Sequence, residues 1–252
     1  MTAIRVQVFS VPKAGNQPEE YEDAIAFDEG SSRVAITDGA SDAFEAGKWA
    51  RALVECYVKR PPTFDAESIL SWLVAPIQMW RAGIQWERLA WYAEEKARRG
   101  SFATLLGINF ESIHPHDLLQ NNWSWSAVAL GDSCLFHLRA NVLLTSFPCV
   151  RHEEFDTTPW LVSTNLEYSR QSLKGLRTAT GEWRSGDLML VSTDALAAWL
   201  LNRNGRGVDF WRRLESLADG DFLLLVEQAR DRGEMRNDDV TLAVIRFCGP
   251  KG

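Results

Sequence analysis

The sequence predicts an α+β protein in which helices cover the faces of sheets. Two observations carry that class. Segments of strand character fall near the start, in the middle and at the end of the chain, and segments of helical period fall in blocks between them. The resulting order is strands, a helical pair, strands, helices and a final strand, which suits covered sheets better than a regularly alternating doubly wound fold. The second observation is the length of the apolar runs. They are short, as in buried strands, and none approaches the roughly 18–20 residues of a membrane span.

In chain order, Ile4 to Val11 reads as a strand, and Pro12 to Glu22, polar and punctuated by Pro and Gly, as a loop. Asp23–Phe27 and Arg33–Thr37 read as short strands about the turn Asp28-Glu29-Gly30-Ser31. The period then changes. Ala46, Ala50, Leu53 and Tyr57 recur at helical spacing, Asp42 and Glu45 resemble a capping box, and Pro61-Pro62 stops the helix. A second helical region spans about 65–98, interrupted near Pro76 and Gly83, and its mixed-charge tail Glu94–Arg99 is a solvated end.

Strand character returns at Phe102–Phe110 and Trp123–Leu130. In the latter, Trp123, Trp125 and Ala127 take one face and Ser124, Ser126 and Val128 the other. Gly131-Asp132-Ser133 reads as a hairpin turn into the strand Cys134–Arg139. Phe147 to Thr180 shows no clear period and is expected to be irregular. Leu188–Val191 reads as a buried strand, Ala195–Asn202, Val208–Ala218 and Phe222–Arg232 as helices, and Thr241–Phe247 as the closing strand. With no repeat and no linker, residues 1–252 are expected to form one domain.

Of 252 residues, 46% are hydrophobic and 24% charged, which excludes a disordered chain. Lys and Arg number 27 against 34 Asp and Glu, a net charge of −7. That balance argues against sequence-independent nucleic-acid binding, which needs a basic footprint, and supplies oxygen ligands for hard cations. Met1–Phe9 lacks the apolar core of a signal peptide, so a cytoplasmic location without membrane association is expected. The scattered Cys56, Cys134, Cys149 and Cys248 form no C-x-x-C pair and are expected to be buried free thiols. The 11 Trp, spread along the chain, point to an aromatic core.

The placement of the acidic residues is the informative feature. Asp38 follows Val34-Ala35-Ile36 and precedes Gly39; Asp132 ends Trp123–Leu130; Asp194 ends Leu188–Ser192; Asp238-Asp239 precede the last strand; Glu22-Asp23 begin another. Strand ends far apart in sequence can converge in space. Converging carboxylates repel by about 4 kcal/mol per pair at contact under an effective dielectric near 20, so a cation belongs among them, and for all-oxygen ligands that is most often Mg²⁺, Mn²⁺ or Ca²⁺. Each position also has an ordinary explanation. Asp132 suits a hairpin, Asp194 a helix N-cap, and Asp238-Asp239 a polar strand entry.

Taken in order, Glu22-Asp23-Ala24, Val34-Ala35-Ile36-Thr37-Asp38-Gly39, Ser101-Phe102-Ala103-Thr104, Ala129-Leu130-Gly131-Asp132-Ser133, Leu190-Val191-Ser192-Thr193-Asp194-Ala195 and Asp238-Asp239-Val240-Thr241 resemble the motif series of the metal-dependent, type 2C Ser/Thr protein phosphatases. Asp38-Gly39-Ala40-Ser41 leading to Trp49-Ala50 is similar to a bacterial branch of that family. The resemblance implies a four-layer α/β/β/α sandwich, two central antiparallel sheets flanked by helical pairs, with two Mg²⁺ or Mn²⁺ ions at one edge. It makes Asp38 the bridging carboxylate, Gly39 a carbonyl ligand, and Asp194 and Asp238 ligands of the second ion. Glu22 would act through water of the metal shell with Asp23 in support, and Asp132 matches the position that helps bind a third ion in some members. The implied activity is hydrolysis of phosphoserine or phosphothreonine by a metal-activated water, acting on a phosphorylated protein made by a Ser/Thr kinase.

Several positions depart from the family pattern. The phosphate-gripping arginine expected before Glu22-Asp23 is replaced at its usual offset by Pro18, leaving Lys13 as a candidate point charge. Ala40 stands where some members carry a histidine, Ala195 where a glycine follows Asp194, and Asp239 where an asparagine is usual. Neither a Cys–His nor a Ser–His arrangement is evident, and His114, His116, His137 and His152 lie in no ligand motif. Two other functions stay open. One is a phosphatase-like module that binds phosphorylated partners with weak or no catalysis; the other is a metal-dependent hydrolase of a different phosphoester, such as a nucleotide.

Overall fold

A computed structural model describes residues 4–89, 91–112, 123–155, 159–204 and 208–247. The N-terminal half contains β1 (Ile4–Val11), β2 (Ala24–Asp28), β3 (Arg33–Thr37), α1 (Ala46–Lys59), α2 (Ala66–Trp72), α3 (Val74–Ala82) and α4 (Trp91–Arg99). Five strands follow, β4 (Phe102–Ala103), β5 (Leu105–Ser112), β6 (Trp123–Leu130), β7 (Cys134–Arg139) and β8 (Val142–Phe147), then the short β9 (Val162–Ser163) and α5 (Leu166–Ser172). The chain continues through β10 (Arg177–Trp183), β11 (Asp187–Ser192), α6 (Asp194–Arg203), α7 (Val208–Glu215), α8 (Asp219–Asp231) and β12 (Val240–Phe247).

Two antiparallel five-stranded sheets form the centre, in the orders β1-β12-β11-β7-β8 and β10-β6-β5-β3-β2. Alternation along the strands dictates how they stack. Ile36, Leu106, Ile108, Trp125 and Ala129 of one sheet meet Leu135, Met189, Val191, Ala243 and Ile245 of the other in the inner core. The opposite faces are apolar as well. Ala35, Leu105, Val128 and Leu130 receive Trp49, Leu53 and Tyr57 of α1 and Ile77 and Trp80 of α3. Phe136, Leu190, Leu242 and Val244 receive Leu196 and Leu200 of α6, Trp211 and Leu214 of α7, and Phe222 and Val226 of α8. Strands buried on both faces explain the unbroken run Leu188–Val191, and each large side chain fully buried in these layers is worth about 1.5–3 kcal/mol. The architecture is the expected α+β sandwich of helix, sheet, sheet and helix layers.

The structure corrects several local expectations. The turn 131–133 is not a hairpin: β6 and β7 lie in different sheets, so the turn carries the chain across the sandwich. Asp42 and Glu45 form no capping box; Glu45 is the N-cap residue in a left-handed conformation with no side-chain cap. The long helical region breaks at Leu73, not at Pro76, because Pro76 sits in the first turn of α3, where no backbone donor is required. Phe102–Phe110 is two strands, parted at Thr104, whose N–H turns to Asp38. The stretch expected to be irregular contains β9, α5 and β10.

The described cysteines, Cys56, Cys134 and Cys149, are free and buried, while Cys248, His114 and His116 lie outside the described residues. Trp49, Trp80, Trp125, Trp183, Trp199 and Trp211 are buried, as an aromatic core requires; Trp86, Trp91 and Trp160 lie at the surface. His137 is structural. It is buried, stacks on Trp183 and bonds the buried Asp187 carboxylate at 2.8 Å. Among the described residues no helix is long and apolar enough to cross a membrane.

Candidate metal centre

The loop after β3 begins the site. Asp38 donates its backbone N–H to Thr104 Oγ1 at 2.9 Å, and its carbonyl accepts the Thr104 N–H at 2.8 Å. Ala40 N–H donates to the Phe102 carbonyl at 2.9 Å, and Gly39 bridges Ala103. The Phe102–Thr104 segment therefore straps the 38–40 loop to the sheet. At Gly39 a Cβ would stand 2.8 Å from the Glu22 carbonyl oxygen and 3.1 Å from Ala46, so only glycine lets this loop run against the start of α1.

Gly131, at φ +107°, makes the crossing from β6 to β7 possible. A Cβ there would lie 2.6 Å from the Thr104 side chain. Thr104 Oγ1 also shares a 2.7 Å hydrogen bond with Ser133 Oγ. The crossing thus places Asp132 beside the Asp38 loop, which a hairpin within one sheet would not do.

The third and fourth contributions come from the other sheet. Asp194 opens α6 directly after β11, and Asp238 lies in the turn before β12. Asp38, Gly39, Asp132, Asp194 and Asp238 line one cleft of about 180 Å³, together with Thr104, Arg236, Pro159 and Leu161. Five of the seven residues implied as metal ligands are therefore brought together.

Asp23 is buried beside this cleft without lining it. Its Oδ2 accepts from Thr193 Oγ1 at 2.9 Å and Thr241 Oγ1 at 2.8 Å, which ties β2 to the ends of β11 and β12. Glu22 lines a neighbouring depression with Gly47, Lys48 and Arg51. Its N–H donates to Asp239 Oδ2 at 2.7 Å, and Asp239 Oδ1 takes the Lys13 N–H at 2.7 Å. Asp239 thus uses both carboxylate oxygens to hold backbone. Lys13 is held near Glu22 and does not line the cleft.

The electrostatics follow from burial. Burial raises Asp38 well above the usual carboxylate range, and Asp23, Asp194, Asp132 and Asp238 push it further. Asp23 is pushed up to about 8 by burial, with Asp239 and Asp194 adding to it. Asp194 is raised by burial and by Asp238 although Arg236 opposes the shift, and Glu22 is raised by burial with Asp239 and Asp238.

Nothing in the sequence singles out Arg236, because a lone arginine before Asn237-Asp238 carries no pattern until the strand ends are known to meet. Its Nη2 donates to Asp194 Oδ2, and its Nε lies 3.4 Å from Asp238 Oδ2. Among the described residues no three acidic, His or Cys side chains are set as a finished metal shell. The donor set nevertheless fits a hard divalent cation. All side-chain donors are oxygens, and the buried Asp23 Oδ1 and Asp194 Oδ1 have no hydrogen-bond partner.

The fold is that of solved Ser/Thr phosphatases. The catalytic domain of the serine threonine protein phosphatase PstP in complex with 2 manganese ions matches 98% of this chain and 99% of its own length, at TM-score 0.60 and 16% identity. The PPM Ser-Thr phosphatase MsPP from Mycobacterium smegmatis, in complex with cacodylate, matches 98% of this chain and 100% of its own at TM-score 0.54 and 15% identity. RsbX in complex with magnesium matches 98% and 96% at TM-score 0.52 and 16% identity. No protein-family profile and no curated relative matches the chain. At these identities the similarity is one of fold, the architecture that the type 2C resemblance implied.

Proposed function

We propose that the chain is a Mg²⁺- or Mn²⁺-dependent phosphatase of phosphoserine or phosphothreonine, acting as one domain on a protein modified by a Ser/Thr kinase. One observation carries this reading: Asp38, Asp132, Asp194 and Asp238, separated by up to 200 positions, line a single cleft at an edge of the sandwich. Divalent ions bound there would supply neutralisation of phosphoryl charge and a lowered pKa for water.

The chain's own residues do the rest. Asp38 and Asp194 would hold the cations from opposite sheets, and Thr104 fixes Asp38 through its backbone. Asp23 orders Thr193 and Thr241 under the site. No cysteine or histidine is among the described residues lining the cleft, Cys134 being buried and His137 committed to Asp187. In this reading the nucleophile is water. A water oxygen bonds to phosphorus and gives up one proton to solvent, the bond from phosphorus to the side-chain oxygen breaks, and the leaving oxygen takes a proton from solvent, Ala40 offering none.

The cleft, about 180 Å³ and open to solvent, has room for the phosphorylated tip of a side chain.

A second reading, a module that binds phosphorylated partners without turnover, is favoured by the position of Lys13, which is absent from the cleft lining. Turnover of a small phosphoester with Mn²⁺ separates the two. The phosphatase reading expects activity in the wild type that Asp38→Asn and Asp194→Asn abolish, and equal rates in all three would refute it.

A further inference from the structure

We propose that Arg236 is a built-in counter-ion that competes with divalent cations for Asp194 and Asp238, so that metal binding at this site is an exchange of one cation for another. The inference rests on the metal-site reading above and concerns how that site is regulated.

The geometry carries it. Arg236 lies in the turn between α8 and β12 and contacts carboxylates of two elements, Asp194 at the start of α6 and Asp238 in its own turn. Among the described residues lining the cleft it alone carries positive charge, against four aspartates. Its side chain is 52% exposed, so it can leave the carboxylates for water without breaking the core. The other nearby arginine, Arg230, is occupied elsewhere, donating to the carbonyls of Pro12 and Asp238.

The pairing is also incomplete. The guanidinium meets only one oxygen of Asp194; the other, Oδ1, is buried without a partner. Bidentate engagement, the strongest mode open to arginine, is not used. A hard dication takes carboxylate oxygens more fully and repels the guanidinium once bound. Arg236 therefore holds the cleft together without metal, sets the cation concentration at which the site loads, and is expelled towards the cleft mouth on loading.

Calorimetric titration of the full chain with Mn²⁺ tests this. Arg236→Gln should bind Mn²⁺ about ten-fold tighter than wild type, about 1.4 kcal/mol, with Arg236→Lys between them because a single ammonium cannot reach both carboxylates as the guanidinium does. Equal or weaker binding by Arg236→Gln overturns the proposal, since a merely structural arginine would give that result.

Should Arg236→Gln fail to fold without metal, the wild type provides the second reading. The Arg236 Nε–H resonance, assigned by its loss in Arg236→Lys, should shift and exchange faster with solvent as Mg²⁺ is added; an unchanged resonance at saturation overturns the proposal. The two claims also fail separately. Tighter Mn²⁺ binding by Arg236→Gln without phosphate release from phosphopeptides would refute the phosphatase and support the exchange. Absence of Mn²⁺ binding in every form would refute both.

Discussion

Thr104 and Asp38 are joined by two hydrogen bonds, the Thr104 N–H to the Asp38 carbonyl at 2.8 Å and the Asp38 N–H to Thr104 Oγ1 at 2.9 Å. This pair parts β4 from β5 and holds Asp38, whose carboxyl is raised by burial and by four neighbouring aspartates, on a fixed backbone. Thr104, itself in the cleft lining, therefore fixes where the Asp38 backbone stands.

Thr104→Val keeps the shape and removes the acceptor, leaving the Asp38 N–H without its partner. The expected cost is about 1–3 kcal/mol of stability, measured by urea denaturation. Mn²⁺ affinity should fall by about 10–100-fold, as for loss of a group that orients a ligand. Thr104→Ser, which retains the hydroxyl, should restore most of both.

Asp38→Asn separates stability from metal binding. Asp38 is raised by burial and by four neighbouring carboxylates, so neutralising it should stabilise the metal-free chain at pH 8. The same change should remove the Tm gain that Mn²⁺ gives the wild type. Thermal melts with and without Mn²⁺ check both halves, and a destabilised metal-free mutant would contradict the account.

The pH dependence has a definite sign. Asp23, pushed up to about 8, and Asp38, Asp194 and Glu22, all raised, bind protons more tightly in the folded than in the unfolded chain. Their stabilising protons are fully present below the unfolded value of about 4 and are lost as pH rises through the folded values. Without metal, stability to urea should fall between about pH 5 and 8.5. Saturating Mn²⁺, which replaces those protons, should flatten or reverse the slope.

Gly131→Ala tests the crossing between sheets. The residue lies at φ +107°, and the added Cβ would meet Thr104 at 2.6 Å. Backbone strain and overpacking together should cost about 2–4 kcal/mol. Mn²⁺ affinity should drop with stability, because Thr104 and Asp132 move together.

The frame of the fold was legible in the sequence because its strands are buried and apolar. β1 and β3 were read with the bounds they have, as was β6 with its alternating faces. β10, Arg177-Thr-Ala-Thr-Gly-Glu-Trp, was missed because it is an edge strand, half in solvent, with no apolar face to read. α5, at 7 residues, is too short to show a period; its one signal was Asn165, whose side chain accepts from Glu167 N–H and Tyr168 N–H. The turn 131–133 reads as a hairpin in the sequence because glycine and aspartate serve a hairpin and a crossing alike. At the candidate site, strand-end aspartates could be picked out by position. Chain order alone draws Lys13 towards the cleft, whereas its backbone is tied to Asp239. Arg236 becomes visible only when α6 and the β12 turn are seen side by side.

The most direct measurement is an anomalous difference map from a crystal grown with Mn²⁺. The account predicts density in the cleft against the carboxylates of Asp38 and Asp194, with Arg236 withdrawn from Asp194. Manganese bound elsewhere, or a cleft without anomalous density while Arg236 keeps its place on Asp194, would contradict it.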